Sequence, residues 1–380
     1  MIKPKRLIVI TLIVSSVISA TWSLSRRLFA TPLPGDDAST EEALKNFAAI
    51  GPIDAHAHVF RKDPVFQAFL DRLHLTLLDI LVVDDMAAYH KKLEPQLGDA
   101  LAVVRASGGH VVLCTTFDAY NFNNPDFGAE AIKQLDRDFA AGAIAVKVWK
   151  NIGMELKNRD GAFVMPDDPK FEPIYREIAE HGKTLMMHTA EPDSCWKPLD
   201  PANPDSADDY YRENPQWYMG DKPDHPSKAR ILSARDRVIA ENPELRVVGA
   251  HLGSMEMDVN EIARHLDLYP NFAVDIGGRT DYLMTAPHDQ VRTFLIKYQD
   301  RITYGTDLEL ASHSASHTAQ NIQEVIKGWE KTYAQDWRFF ATDQTIDYGG
   351  KKIPGLKLPQ PVLRKIFHEN AIHWFPGIVK

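Results

Sequence analysis

From residue 50 onward, short runs that are apolar on both faces alternate with longer amphipathic stretches. The short runs predict strands at 52–56 (PIDAH), 79–84 (DILVVD), 110–116 (HVVLCTT) and 143–149 (AIAVKVW). Four more follow at 183–188 (KTLMMH), 246–250 (RVVGA), 271–275 (NFAVD) and 301–305 (RITYG). Strands without a polar face are those of a parallel sheet covered by helices on its outer side. Helical periodicity between them predicts helices at 128–140, 170–181, 228–241, 257–268 and 288–297, the third opening after Pro226-Ser227. Eight strands separated by helices predict an α/β fold, a (β/α)8 TIM barrel. A doubly wound sheet is the rival, but no Gly-rich phosphate turn follows the first strand. The intervals 189–226 and 308–358 are expected to be long loops after strands five and eight. That is the barrel face where lids and binding loops sit.

Charge narrows the partners. The 380 residues carry a formal net charge of −9, and Lys3, Lys5, Arg6, Arg26 and Arg27 all lie in residues 1–30, which hold no acid. The remainder is therefore more acidic still, which excludes nucleic acid as a partner. A small-molecule substrate is expected instead. Two cysteines, Cys114 and Cys195, make neither a disulfide framework nor a Cys-based zinc site. Residues 7–20 (LIVITLIVSSVISA) follow a basic start, as in an export signal with Ala20 at a cleavage position. The uncharged stretch 7–25 would span roughly 28 Å as a helix, so an uncleaved membrane anchor is the alternative. The expected division is a signal peptide or anchor at 1–30, a linker ending in a short helix at 31–49, and a catalytic barrel at 50–380. Its location would be periplasmic, secreted or anchored to the membrane.

The polar residues gather at strand ends. Asp54-Ala55-His56-Ala57-His58 alternates polar with small residues, so positions 54, 56 and 58 are expected on one strand face. Two imidazoles so spaced can chelate one metal ion, although alternation also marks a strand with a solvated face. Three other strands end in ligand types: His188, His251 and Asp307. In a barrel these ends meet at one mouth. Imidazoles with one carboxylate suit a borderline divalent cation such as zinc, with manganese or iron also compatible.

Taken together, Asp-x-His-x-His at strand one, His at strands five and six and Asp at strand eight resemble the amidohydrolase superfamily. The segments PIDAHAHVF, GAIAVKVWKNIGM, VVGAHLGSM, NFAVDIGGR, RITYGTDLEL and HENAIHWF resemble its amidohydrolase-2 branch, over about residues 50–376. The resemblance implies a barrel holding one or two divalent metals. It implies hydrolysis of C–N, C–O or P–O bonds, or, in that branch, non-oxidative decarboxylation or hydration. It assigns His56, His58 and His188 as metal ligands, and Asp307 as both a ligand and a proton acceptor. His251 would bind a second metal or act as a free imidazole. Lys147, in strand four, would be a carboxylated bridge between two metals, or else anchor substrate or a salt bridge.

Other residues are candidates from their position. Arg279, after strand seven, could clamp a substrate carboxylate bidentately or form a structural salt bridge. Lys150 could bind an anion or lie solvated on the surface. Trp149 and Trp196 could wall the pocket or fill core. Glu191 could bond substrate, an imidazole or a loop. His313 and His317 are read as a solvated helix face. The expectation is an exported metal-dependent hydrolase that uses metal-bound hydroxide on an ester, lactone or amide. A metal-dependent decarboxylase of a carboxylated aromatic or enoic acid is the second reading. A non-catalytic binding protein on the same barrel is the third.

Overall fold

The computed structural model describes residues 36–84, 92–199, 206–312 and 321–379. The leader at 7–25, Ala20, His313 and His317 lie outside these. Among the described residues, no helix is long and apolar enough to cross a membrane.

Nine parallel strands form the sheet. They are β1 (Ile53–Val59), β2 (Thr76–Ile80), β3 (Val111–Thr116), β4 (Ala145–Val148) and β5 (Thr184–Met187), then β6 (Arg246–Gly249), β7 (Phe272–Asp275), β8 (Ile302–Thr303) and β9 (Leu308–Leu310). Their order is β8-β7-β6-β5-β4-β3-β2-β1-β9. Because β9 follows β8 after four residues, the two ends of that order are one stretch of chain, which bonds β7 on one side and β1 on the other. Ala55 N–H also donates to Tyr304 C=O at 2.9 Å, so the ring closes as a TIM barrel.

Side-chain phase divides the strands cleanly. Ile53, Ala55, Leu78, Ile80, Cys114, Ala145, Met186, Val248 and Ala273 form one apolar cluster inside the ring, plugged by Trp374, Phe375 and Ile378 near the C-terminus. Their neighbours Val59, Leu77, Leu113, Val146, Leu185, Val247 and Val274 belong to the outer cluster under the helices. Both faces are apolar because both are buried. Cys114 and Cys195 are buried free thiols.

Three expectations need correction. The second strand is Thr76–Ile80 rather than 79–84. Leu81 N–H still donates to Cys114 C=O at 3.0 Å, but beyond it the Gln96 side chain satisfies both the N–H and the C=O of Val82 at 2.8 Å, in place of a neighbouring strand. The interval 308–358 is not a long loop. It holds β9, the 20-residue helix Ile322–Ala341 and the antiparallel pair β10 (Thr345–Tyr348) and β11 (Lys351–Pro354). That helix buries Trp329, Tyr333, Trp337 and Phe340 on one stripe, so packing explains it. The interval 189–226 is likewise partly ordered, with short helical turns at Asp193–Trp196 and Pro215–Trp217 around the helix Ser206–Glu213.

The stretch expected as a linker ends in the helix Asp36–Ala48, which buries Ala43, Leu44 and Phe47. Phe47 stacks on Tyr333, with ring centroids 5.0 Å apart, and so joins the outer wall.

Candidate metal centre

Two backbone irregularities set the histidines. The pairing of β1 with β2 shifts register between Asp54 and Ala57. Below the shift Ile53 and Ala55 face inward, whereas above it Ala57 and Val59 face outward. His56 and His58 therefore turn into the mouth, as a bulge allows. Asp54 does not share their face, contrary to strict alternation. It is buried against the outer helix, accepting hydrogen bonds from Tyr333 Oη at 2.8 Å, Thr306 Oγ1 at 2.5 Å and His56 N at 3.0 Å. Burial raises its pKa to about 7 despite these donors.

His251 is turned by a different device. Val248 and Ala250 face inward, so regular phase would send residue 251 outward. Instead His251, Leu252, Gly253 and Ser254 all take left-handed φ, at 57°, 56°, 66° and 58°. For residues with a Cβ this costs about 1–2 kcal/mol each. Three bonds hold the turn. His251 N–H donates to Asp275 Oδ1 at 3.0 Å, His251 Nδ1 to Gly277 C=O at 2.7 Å, and buried Arg235 Nη1 to Gly253 C=O at 2.5 Å. The His251 ring then lies 4.6 Å from that of His56 and 4.2 Å from that of His188, centroid to centroid. Asp307 too is left-handed, with φ 60°, and its N–H donates to His56 C=O at 2.7 Å.

His56, His58 and Asp307 form a group whose ligand atoms lie within 4.8 Å of one another. His58 Nδ1 is 2.7 Å from Ile80 C=O, which can only accept, so Nδ1 carries the proton. His56 Nδ1 likewise faces Asp275 Oδ2 at 3.0 Å. Each Nε2 is left with a lone pair, and each faces Asp307 Oδ1, at 3.3 Å and 3.2 Å. Three acceptors aimed at one point repel unless a cation stands among them. The donor set thus fits a divalent metal, with outer partners orienting each imidazole.

His188 stands outside that trio. Its Nε2 is buried with no hydrogen-bond partner, 3.9 Å from Glu191 Oε1. Lys147 is buried, and its ammonium lies 3.4 Å from His56 Nε2. Burial lowers its pKa against the pull of Asp275 and Asp307. Asp275 was not singled out from the sequence, yet it holds both His56 and His251. The signal was present in FAVD, a carboxylate closing an otherwise apolar strand. Gly277 two residues on is required by close approach, since a Cβ there would come within 2.6 Å of His56 Nδ1.

Two of the substrate-binding candidates are committed elsewhere. Lys150 is neither solvated nor free for an anion. It is buried, paired with Glu191 and bonded to Tyr210 Oη at 2.9 Å. Burial would lower its pKa, but Glu191 and Tyr210 reverse the direction. Trp196 donates from Nε1 to Pro226 C=O at 3.1 Å and packs against the cluster of Trp149, Cys195 and Trp217, a structural role. Arg279 is half-buried, and its Nε has no partner. Glu256, Glu191 and Asp307 all favour its charge against the cost of burial.

The sequence profile of a family described as Amidohydrolase matches residues 53–377. No curated protein is a significant match. Among solved structures, a 2,6-dihydroxybenzoate decarboxylase complexed with 2,6-dihydroxybenzoate is 13% identical with a TM-score of 0.50, covering 86% of this chain and 99% of its own. A dihydroxybenzoic acid decarboxylase from Polaromonas sp., with manganese and 2-nitroresorcinol bound, is 12% identical with a TM-score of 0.48, covering 86% and 96%. A probable 2-pyrone-4,6-dicarboxylic acid hydrolase from Acinetobacter baumannii, with citric acid bound, is 12% identical with a TM-score of 0.45, covering 86% and 99%. At 13% identity the first of these is a likeness of fold alone.

Proposed function

Since the chain belongs to the amidohydrolase family, we propose that it is a metal-dependent hydrolase acting on an ester, lactone or amide at the mouth built by His56, His58 and Asp307. One observation carries the reading: the three ligand atoms converge with their acceptor lone pairs facing one another. Zinc, manganese or iron would suit the set. A divalent cation held there would lower the pKa of water to about 7 and polarise a carbonyl.

The protein's own groups do the rest. Asp275 and the Ile80 carbonyl fix His56 and His58 in the liganding tautomer. The Asp307 side chain is 28% exposed, so one end can take a proton from attacking water and pass it to the leaving group. His188 Nε2, buried and unpartnered, is a further ligand atom. His251 donates through Nδ1, so its Nε2 is an acceptor and suits a ligand or base better than a donor to a substrate oxygen. Lys147 stands close enough to His56 to bridge a second cation if carboxylated, or to place a positive charge beside the site. Arg279 would hold a substrate carboxylate through its unpartnered Nε.

That same Arg279 supports a second reading, non-oxidative decarboxylation of a carboxylated aromatic or enoic acid. A panel of lactones, esters and amides, run beside carboxylated aromatics with carbon dioxide detection, separates the two. Hydrolysis that chelation abolishes supports the first. Carbon dioxide release with no hydrolysis replaces it with the second. Asp307→Asn should lower turnover by about 10²–10⁴-fold with the fold retained, and near-normal rates would reject the proton role. Export is proposed from the basic and apolar leader. Sequencing the mature N-terminus from fractionated cells tests it.

A further inference from the structure

The insert after β5 brings a phenol to the barrel mouth. Lys150, just past β4, is buried with its ammonium 4.4 Å from the Trp217 ring centroid, 5.2 Å from that of Tyr210 and 5.6 Å from that of Trp149. It donates to the Glu191 carboxylate and to Tyr210 Oη, the latter at 2.9 Å. An ammonium has no lone pair, so in the second bond the phenol oxygen must accept. The Tyr210 O–H is then left to donate elsewhere, and it has no acceptor among the described residues. Tyr211, its neighbour, instead spends its hydroxyl on Glu191 Oε2 at 3.2 Å.

The ion pair behind Tyr210 places the phenol beside the metal centre. Glu191, which shares Lys150 with it, lies 3.9 Å from the unpartnered His188 Nε2. Burial pushes the Tyr210 pKa up to about 12, so the group keeps its proton at neutral pH. The Lys150 charge is matched by Glu191, so a ligand meets a neutral donor polarised by the ammonium behind it. Arg279 supplies a full positive charge at the same mouth, and the buried Trp149 and Trp217 pack edge to face with centroids 5.1 Å apart against the Lys150 ammonium.

We propose that Tyr210 is a substrate-binding residue whose phenol donates a hydrogen bond to a substrate carboxylate, with Lys150 and Glu191 holding it in place. The inference deepens the metal-centre reading and relies on it for the location of the mouth.

The test is calorimetric titration of the metal-loaded full-length chain, and of a chelated sample, with benzoate and with its neutral isostere benzamide. Tyr210→Phe removes one oxygen and leaves the Lys150–Glu191 pair intact. A hydrogen bond to a charged group is the stronger kind. The variant should therefore bind benzoate about tenfold more weakly or worse, and benzamide more weakly by a smaller factor, so the preference for benzoate narrows. A ratio of affinities is read on folded protein and does not depend on how much of it folds. An unchanged preference, or a parent chain that binds no benzoate at millimolar concentration, overturns the proposal. Metal analysis of the same samples keeps the two readings apart. A chain that retains no metal but shows the Tyr210 effect defeats the metal centre and supports this inference. A fully loaded chain with unchanged preference does the reverse.

Discussion

The two ends of the barrel are made by the same strands and differ in what they bury. At the lower end Ile53, Ala55, Ala145, Met186, Val248 and Ala273 close on Trp374 and Phe375 as one apolar cluster. A residue or two higher, His56, Lys147, His188, His251 and Asp275 are just as buried. Buried polar and charged groups cost stability unless they are paired. The apolar end therefore has to hold the ring closed while the other end carries groups that oppose folding. Stability at the bottom and chemistry at the top is the division expected of this architecture.

Substitutions at the two ends should separate those roles. The largest effect is expected from His56→Ala combined with His58→Ala: metal content by elemental analysis should fall from near one ion per chain to background, and turnover with it. The melting temperature of the metal-free protein should hold, and a collapse of the fold would blur the division. Phe375→Ala should do the opposite, losing about 3–5 kcal/mol in denaturant unfolding. Its kcat/KM per folded molecule should stay within about twofold, and a larger kinetic loss would mean the ends are coupled. Asp275→Asn tests the support of the upper end, and should weaken metal affinity by about 10–100-fold with the fold retained.

The last test concerns Asp79 in β2, whose carboxyl accepts from Val59 N–H at 2.7 Å. Burial raises its pKa to about 8 from 3.8, and the charge of Glu309 adds to the rise. Between these values the folded chain binds one proton more than the unfolded chain. Its contribution to stability is therefore present at low pH and lost as the pH rises from about 4 through 8. Asp79→Asn should flatten that part of the stability profile in urea melts at pH 5 and pH 8. An unchanged slope would place the effect elsewhere.

Much of the upper end was legible because ligand types closing apolar strands are chemically out of place. What hid the rest was backbone geometry. Alternation placed Asp54 beside His56 and His58, but a register shift turned the two histidines away from it. Strand phase alone would send His251 outward, and four left-handed residues held in part by Arg235 bring it back. Lys150 read as an exposed cation because its partner Glu191 lies 41 positions away in the chain. The helix Ile322–Ala341 passed as loop because its aromatic stripe becomes meaningful once it packs on the barrel wall.

By itself the sequence determined that this chain makes parallel strands buried on both faces, and that several of them end in metal-ligand residues, since burial period and side-chain chemistry are local properties. The tertiary structure decided which of those residues meet. Their convergence depends on ring closure through β9, on a bulge and on left-handed turns, each stabilised by partners distant in sequence.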